Sequence, residues 1–166
     1  RLEGSPLTEE QDASFGGFAF SSGMAAVNTV LDLIDTGDHV VAMDDLYGGT
    51  HRLFCKVRQR TSGLHFTFAD VTNIDILKKA ITEKTKLIWI ETPTNPMLKL
   101  VDLAAVVEVA KDRGILLACD NTFATPALQQ PLEFGFDIVM HSATKYLGGH
   151  SDVVSGILVT GNPELA

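Results

Sequence analysis

One lysine stands at a position where an amine could do chemistry. Lys145 comes shortly after the apolar run Asp137–Met140, and the hydroxyls of Ser142 and Thr144 lie beside it in the sequence. An amine that is partly removed from water can be neutral and form a Schiff base with an aldehyde. The two hydroxyls could bind a phosphate on the same ligand. A solvated surface lysine is the ordinary alternative for a residue of this type.

Asp120 poses a similar question, because it ends the apolar run that begins at Ile115. A carboxylate at the end of a buried strand is costly unless a cationic group meets it. A cofactor ring with a protonated nitrogen would be such a partner. An aspartate in this position can also simply accept hydrogen bonds from the amides of the following turn, and the residues alone leave both interpretations open.

Two further segments could contact a flat, anionic ligand. The small residues of Ser21–Ala26 would open a helix whose free amides face an anion, although an ordinary serine N-cap has the same pattern. Tyr47 precedes two glycines and could lay its ring over a heterocycle, or it could be a half-buried tyrosine in a turn. An anion site, an aromatic ring, a carboxylate and an amine are together the parts of a pyridoxal phosphate site.

The elements that must position these groups alternate between strands and helices. Helical spacing of apolar residues predicts helices, and short apolar runs between them predict strands. The predicted helices span 22–37, 49–60, 74–81 and 102–113, and the predicted strands span 39–43, 64–69, 87–90, 115–119, 137–140 and 155–160. Strands that are apolar on both faces and alternate with helices indicate one α/β domain with a mostly parallel sheet sandwiched by helices.

This architecture predicts where a ligand binds, because open α/β sheets bind ligands beyond the carboxyl ends of their strands. Four polar segments follow the apolar runs and are therefore expected at one edge of the sheet. They are Asp44–Gly49, Glu91–Pro96, Asp120–Thr122 and His141–Lys145.

Composition excludes several other classes of protein. The 166 residues are 45% hydrophobic and carry a net charge of −8, which argues against a disordered chain and against nucleic acid or an anionic membrane as a partner. No apolar run reaches the roughly 18 to 20 residues of a membrane-spanning helix. Cys55 and Cys119 form no zinc or redox motif and suit a reducing cytosol, so a cytoplasmic location is expected.

Common catalytic and nucleotide-binding motifs are missing from the sequence. It contains no Gly-rich dinucleotide fingerprint, no phosphate-binding loop ending in Gly-Lys-Ser/Thr and no Gly-x-Ser-x-Gly elbow. The five histidines show no metal-ligand spacing, so no metal site is expected.

Five segments together resemble the Cys/Met-metabolism family of pyridoxal-phosphate enzymes, and they occur in the family's order and spacing. The family has an aspartate-aminotransferase-like (fold type I) large domain and a smaller C-terminal domain. The matching segments are Phe20–Ala26, Asp44–Thr50, Trp89–Pro96, Asp120–Phe123 and Ser142–Asp152.

The resemblance implies catalytic roles for three residues. Lys145 would form the imine with the cofactor and later move protons between substrate carbons. Asp120 would keep the pyridine nitrogen protonated, so that the ring remains an effective electron sink. Tyr47 would stack on the ring and take part in acid–base steps.

The resemblance also implies cofactor-binding roles around these three. The amides of Gly23 and Met24 would hold the phosphate. The hydroxyls of Ser142 and Thr144 would assist them.

Three more positions are implied to lie close to the ring. Asn95 would be near the ring hydroxyl or the substrate carboxylate, and Thr122 would support the ring. Glu91 is implied only as a residue behind those that touch the cofactor.

The resemblance favours one reaction, the γ-elimination of cystathionine to cysteine, 2-oxobutanoate and ammonia. Gly49 stands where methionine γ-lyases usually carry cysteine, which counts against that activity. Cystathionine γ-synthase remains close behind, and methionine γ-lyase or a homoserine-ester sulfhydrylase remain further alternatives. A non-catalytic α/β binding domain with a structural lysine is the alternative from a different class.

The expected organisation is a piece of a longer protein, because the chain starts at Arg1 without a methionine. Residues 1–17 are expected to be irregular, and residues 18–166 to form an incomplete cofactor-binding large domain without the C-terminal domain. The family's Tyr-x-Arg segment, which a neighbouring subunit contributes, is not found in the sequence. The resemblance implies a homotetramer built as a dimer of dimers, acting on a small amino-acid substrate.

Overall fold

The computed structural model describes residues 16–166. The irregular segment expected over residues 1–17 therefore lies almost entirely outside the described residues, and Gly17 already belongs to the first strand. The strands are β1 (Gly17–Phe20), β2 (His39–Met43), β3 (His65–Ala69), β4 (Thr85–Glu91), β5 (Leu116–Asp120), β6 (Ile138–His141) and β7 (Gly156–Thr160).

Helices occupy most of the connections between the strands. They are α1 (Gly23–Val30), α2 (Gly48–Arg52), α3 (Gln59–Thr61), α4 (Ile74–Ala80), α5 (Leu103–Ala110), α6 (Thr125–Leu128) and α7 (Pro131–Phe134). A π-helical stretch, Leu53–Arg58, joins α2 to α3, and 3-10 turns cover Leu31–Leu33 and Pro163–Leu165. No helix within residues 16–166 is both long and apolar enough to cross a bilayer.

The strands form one seven-stranded sheet in the order β1-β7-β6-β5-β4-β2-β3. Strands β2 to β6 pair in parallel, whereas β7 pairs antiparallel with both β6 and β1. This confirms the predicted mostly parallel α/β sheet. The antiparallel direction of β7 is an addition that the apolar run alone could not reveal.

The core lies on both faces of the central strands. Every residue of β2 is buried, and in β4 only Lys86 is exposed. Trp89 is fully buried, and its ring meets that of Phe54 edge-on at 5.8 Å between centroids. A sheet covered on both sides leaves its strand ends as the place where polar groups can reach solvent or a ligand.

Two predicted helices differ from the structure for local reasons, and two short helices were not predicted. The helix predicted to reach residue 37 ends at Val30 and passes into a 3-10 turn, and Gly37 adopts a φ of +91° in the connection that follows. The helix predicted over 49–60 is one helical run interrupted by π-type hydrogen bonding. Helices α6 and α7 were not predicted, because four residues are too few to show a helical period.

Candidate active site

A cavity of about 240 Å³ opens at the carboxyl edge of the parallel strands. It brings together every residue that the sequence analysis proposed for cofactor binding, including both Lys145 and Asp120. Its lining contains Gly23, Met24, Tyr47, Asn95, Asp120, Thr122, Ser142, Thr144 and Lys145. The four polar segments after the strands therefore contribute to one site, as the topology of the sheet predicts.

Asp120 at the end of β5 combines the two interpretations that the sequence left open. Its Oδ1 atom accepts hydrogen bonds from the backbone amide of Thr122, at 3.0 Å, and from the Thr122 hydroxyl. The residue is also buried against the cavity. Burial raises the pKa of the Asp120 carboxyl above its ordinary value, and the bonds from Thr122 oppose that shift. A cation in the cavity would offset the cost of the buried charge.

Glu91 at the end of β4 lies beside Asp120, because the two residues are register partners in adjacent parallel strands. Its side chain accepts from the backbone amides of Tyr47, at 2.9 Å, and Asn95, at 2.8 Å. Burial, and after it the charge of Asp120, raise the pKa of Glu91 to about 8, although the two amide bonds oppose the shift. We call this part of the site, formed by Tyr47, Glu91, Asn95, Asp120 and Thr122, the carboxylate end.

The opposite part of the site is built by close packing of main chain. Ser22 caps α1, and its hydroxyl accepts from the amide of Ala25 at 3.1 Å. A methyl group on Gly23 would lie 2.8 Å from Cβ of Ser142, and one on Gly156 in β7 would overlap the carbonyl oxygen of Ser22. We call this part, formed by Ser22, Gly23, Ser142, Thr144 and Gly156, the glycine end.

The loop after β6 is held by hydrogen bonds that reach both ends. The amide of Ser142 donates to the hydroxyl of Thr122 at 2.8 Å. The hydroxyl of Thr144 donates to the carbonyl of Ser155 and accepts from the Ser155 amide. For the Thr144 hydroxyl to donate to a phosphate, its proton must turn away from Ser155.

Tyr47 and Lys145 lie at the mouth of the cavity. Tyr47 is 46% exposed, and its ring lies over Gly49, where any side chain would overlap the ring carbon Cε1. Gly49 therefore leaves room for the tyrosine ring. Lys145 lines the cavity but is an exposed residue in this chain, so it is not withdrawn from water to the degree that the sequence suggested.

Sequence reasoning missed Thr50 and understated Glu91. The Thr50 hydroxyl is buried in the cavity wall and has no hydrogen-bond partner within residues 16–166. Its position three residues after Tyr47, in the first turn of a helix, was the available signal. The signal for Glu91 was its place at the end of an apolar strand, the same feature that pointed to Asp120.

A family model described as Cys/Met metabolism PLP-dependent enzyme matches residues 8–166. The chain belongs to this family of pyridoxal-phosphate enzymes. The resemblance drawn from the sequence and the fold type I expectation are thereby confirmed. Pyridoxal phosphate is the family's cofactor, and the site fits it on two observations. Gly23 lets the start of α1 pack directly against Ser142, and the Thr50 hydroxyl in the cavity wall has no hydrogen-bond partner among residues 16–166.

Relatives and solved structures of this family are identical to the chain at half or slightly more of the aligned positions. It is 58% identical over 88% of its length to a cystathionine beta-lyase of Coxiella burnetii, and 55% identical over 96% to a cystathionine gamma-lyase of Bacillus subtilis. The structure of a cystathionine gamma-lyase from Lactobacillus plantarum, complexed with L-serine, superposes with a TM-score of 0.88 at 50% identity over 90% of the chain. The chain spans 38%, 42% and 39% of these three proteins, respectively.

Proposed function

We propose that the full-length protein is a lyase that uses pyridoxal phosphate to cleave a carbon–sulfur bond of cystathionine, by γ-elimination. The observation that carries the proposal is that an amine, Lys145, and a buried carboxylate, Asp120, line one cavity, together with Gly23 at the start of α1. The relatives named above are lyases of cystathionine, which supports the substrate class.

Each residue of the site has a role in this proposal. The cofactor supplies an electron sink that stabilises negative charge on substrate carbon. Lys145, whose side chain lines the cavity, would hold the cofactor aldehyde and would supply the group that moves protons at the substrate. Asp120 would hold the ring nitrogen in its protonated form, because a buried carboxylate and a cation beside it stabilise each other. The ring of Tyr47 covers the mouth of the cavity, and Asn95 and Thr122 orient the cofactor.

At the glycine end the proposed role is to hold the phosphate. The amides of Gly23 and Met24 begin α1, where the helix dipole favours an anion. Ser142 and Thr144 add hydroxyls on the facing loop. The phosphate would thus be fixed by main chain and small side chains, whereas the ring would be fixed by carboxylates.

β-Elimination is the second candidate, because several relatives are named cystathionine beta-lyase, including one of Lactococcus lactis that is 51% identical. The two reactions differ in which carbon–sulfur bond breaks. With one water, γ-elimination converts cystathionine to cysteine, 2-oxobutanoate and ammonia, and β-elimination converts it to homocysteine, pyruvate and ammonia. γ-Replacement, in which cysteine displaces the acyloxy group of an O-acylhomoserine, is the third candidate. It is supported by a relative of Herpetosiphon aurantiacus, named probable cystathionine gamma-synthase, that is 50% identical.

The proposal extends to the organisation of the whole protein. Residues 18–166 would be part of the cofactor-binding domain, followed by a C-terminal domain, in a cytoplasmic homotetramer built from dimers. The neighbouring subunit would complete each site. These features are carried over from the family resemblance.

The test uses the full-length protein supplied with pyridoxal phosphate. We expect a visible absorption band that borohydride abolishes, and no such band in the Lys145→Ala variant, with Lys86→Ala as an exposed-lysine control. Cystathionine should then yield cysteine and 2-oxobutanoate. If homocysteine and pyruvate form instead, the reaction is β-elimination rather than γ-elimination. If products form only from an O-acylhomoserine with cysteine, the result favours the synthase. A wild-type protein that stays colourless would favour a non-catalytic binding domain.

A further inference from the structure

Glu91 is a buried carboxylate whose observed contacts are with main chain. It is 4% exposed, and its two oxygens accept from two different amides, Oε2 from Tyr47 and Oε1 from Asn95. These amides belong to different loops, one after β2 and the other after β4. One side chain therefore ties together two loops that both line the cavity.

The position of these amides makes the tie relevant to the site. Tyr47 is the residue that precedes α2. The position of its backbone therefore determines where its side chain lies relative to the carboxyl edge of the sheet. Asn95 lies in the loop that continues from Glu91 itself. The carboxylate thus determines how far apart the Tyr47 and Asn95 backbones lie.

A second carboxylate joins the same two loops without lining the cavity. Asp45 accepts from the Thr94 hydroxyl and, at 3.0 Å, from the Met97 amide. This bond pair is more exposed than the one at Glu91. It provides an internal comparison, because it should stabilise the loops without fixing the two cavity residues.

We propose that Glu91 is a positioning residue for the cofactor ring: by binding the Tyr47 and Asn95 amides with its two oxygens, it holds their side chains at the spacing that lets both meet one ring. This inference rests on the proposed function. It assigns to Glu91 a role that needs a two-oxygen acceptor. Glutamine offers one oxygen and one NH2 group, so it would place a donor against one of the amides.

The cost of the arrangement supports a local role rather than a contribution to stability. Glu91 is buried beside Asp120, and burial followed by the Asp120 charge raises the pKa of Glu91 to about 8. Removing two carboxylates from water at adjacent positions weakens the fold. If Glu91 served only to fill space, an apolar side chain of similar size would stabilise the fold more.

The titratable groups that face Glu91 come from three elements. Asp120 lies on β5, Asp45 follows β2, and Tyr47 and Lys145 share the cavity with it. Both oxygens accept most strongly when the carboxyl is ionised.

The test is hydrogen–deuterium exchange by mass spectrometry on the full-length protein, first without cofactor. In Glu91→Gln we expect the peptide that contains Tyr47 or the one that contains Asn95 to exchange about tenfold faster, the loss expected for one hydrogen bond to a charged acceptor. Asp45→Asn should leave the Tyr47 peptide at the wild-type rate and loosen Met97 instead, with overlapping peptides separating the exchange of the Met97 amide from that of Asn95.

The loaded protein gives a second readout. Glu91→Gln should bind pyridoxal phosphate about tenfold more weakly, with a reduced circular dichroism band of the bound cofactor, because the ring is held less rigidly. Glu91→Asp, which keeps the charge but is one methylene shorter, should show the same pattern and replaces Glu91→Gln if that variant fails to fold.

Two results would overturn the inference. One is wild-type exchange at both amides in Glu91→Gln and Glu91→Asp. The other is equal loosening of these amides in Asp45→Asn, which would indicate a general effect on the loops. A wild-type protein that binds no cofactor would contradict the proposed function instead, and the exchange data without cofactor would still report on the tie itself.

Discussion

At the carboxylate end of the cavity, buried Glu91 and Asp120 hold amides and a hydroxyl of neighbouring loops. At the glycine end, Gly23 and Gly156 allow main-chain segments to approach closer than any side chain would permit. The first end depends on charge and the second on volume. Substitutions that remove a carboxylate should therefore act at one end, and substitutions that add a methyl group should act at the other.

The largest effect is expected from removing the charge beside the ring. In the full-length protein, Asp120→Ala should still bind pyridoxal phosphate but lose several kcal/mol of transition-state stabilisation, roughly 10²- to 10³-fold in kcat. The cofactor band and kcat, measured on the same samples, separate binding from turnover. Glu108→Ala, on the exposed face of α5, is the control. Unchanged turnover in Asp120→Ala would remove this residue from the mechanism.

Adding volume at the glycine end should have the next largest effect. Gly156→Ala would press a methyl group against the Ser22 carbonyl, and overpacking of about 1–3 kcal/mol corresponds to roughly 10- to 100-fold weaker binding of pyridoxal phosphate. Pyridoxal, which lacks the phosphate, should bind as in the wild type.

The matched control for that experiment is Gly161→Ala, since nothing lies within 4 Å of the added methyl group. Titrations of wild type and both variants with the two ligands measure the difference. Equal losses for pyridoxal and its phosphate in Gly156→Ala would show that the substitution disturbs the whole cavity rather than its glycine end.

A pH dependence should distinguish the two ends in the cofactor-free protein. The pKa of Glu91 is raised from 4.5 to about 8, so between these values the folded state binds more protons than the unfolded state. The free energy of unfolding should therefore fall as the pH rises from about 4.5 to about 8 and then level off. Glu91→Gln should flatten this slope. Gly156→Ala should lower the free energy of unfolding by the same amount at every pH and leave the slope unchanged. Denaturant unfolding across this pH range measures both the slope and the level of stability. An unchanged slope in Glu91→Gln would contradict the raised pKa of Glu91.

The smallest effects compare two helix caps of the same design. Ser22 accepts from Ala25 N at 3.1 Å and Asp102 accepts from Ala105 N at 3.0 Å. Replacing either residue by alanine should cost ~1 kcal/mol of stability. Only Ser22→Ala should also weaken binding of pyridoxal phosphate, by a few-fold, because only its helix begins at the cavity. Parallel unfolding and binding titrations test this, and equal binding by both variants would separate the cap from the phosphate site.

Local sequence patterns were sufficient for the central strands and for the edge at which ligands bind. His39–Met43 was predicted with the bounds that the structure has, because five consecutive buried residues between polar ends can hardly form anything but a central strand. The polar segments after such strands meet at one edge by the geometry of parallel sheets. This is why Lys145 and Asp120 could be assigned to one site from sequence.

The outer strands and short helices required information from distant residues. β1 has only four residues, two exposed and two half-buried, and it forms because it pairs with β7 from Gly17 opposite Val159 to Phe20 opposite Gly156. The direction of β7 likewise depends on its neighbours. When two strands lie more than a hundred residues apart in sequence, their pairing produces no hydrophobic periodicity in either strand that would predict it.

The order of residue types along the chain was enough to predict the chemical groups of the site and the edge of the sheet at which they lie. Which of these groups contact one another depends on the packing of distant segments. Glu91 stands beside Asp120 because of the register between β4 and β5, and Gly156 packs against Ser22 because of how β7 lies beside α1. Burial and charge at these contacts depend on both partners at once, so neither partner's own segment of sequence carries the information.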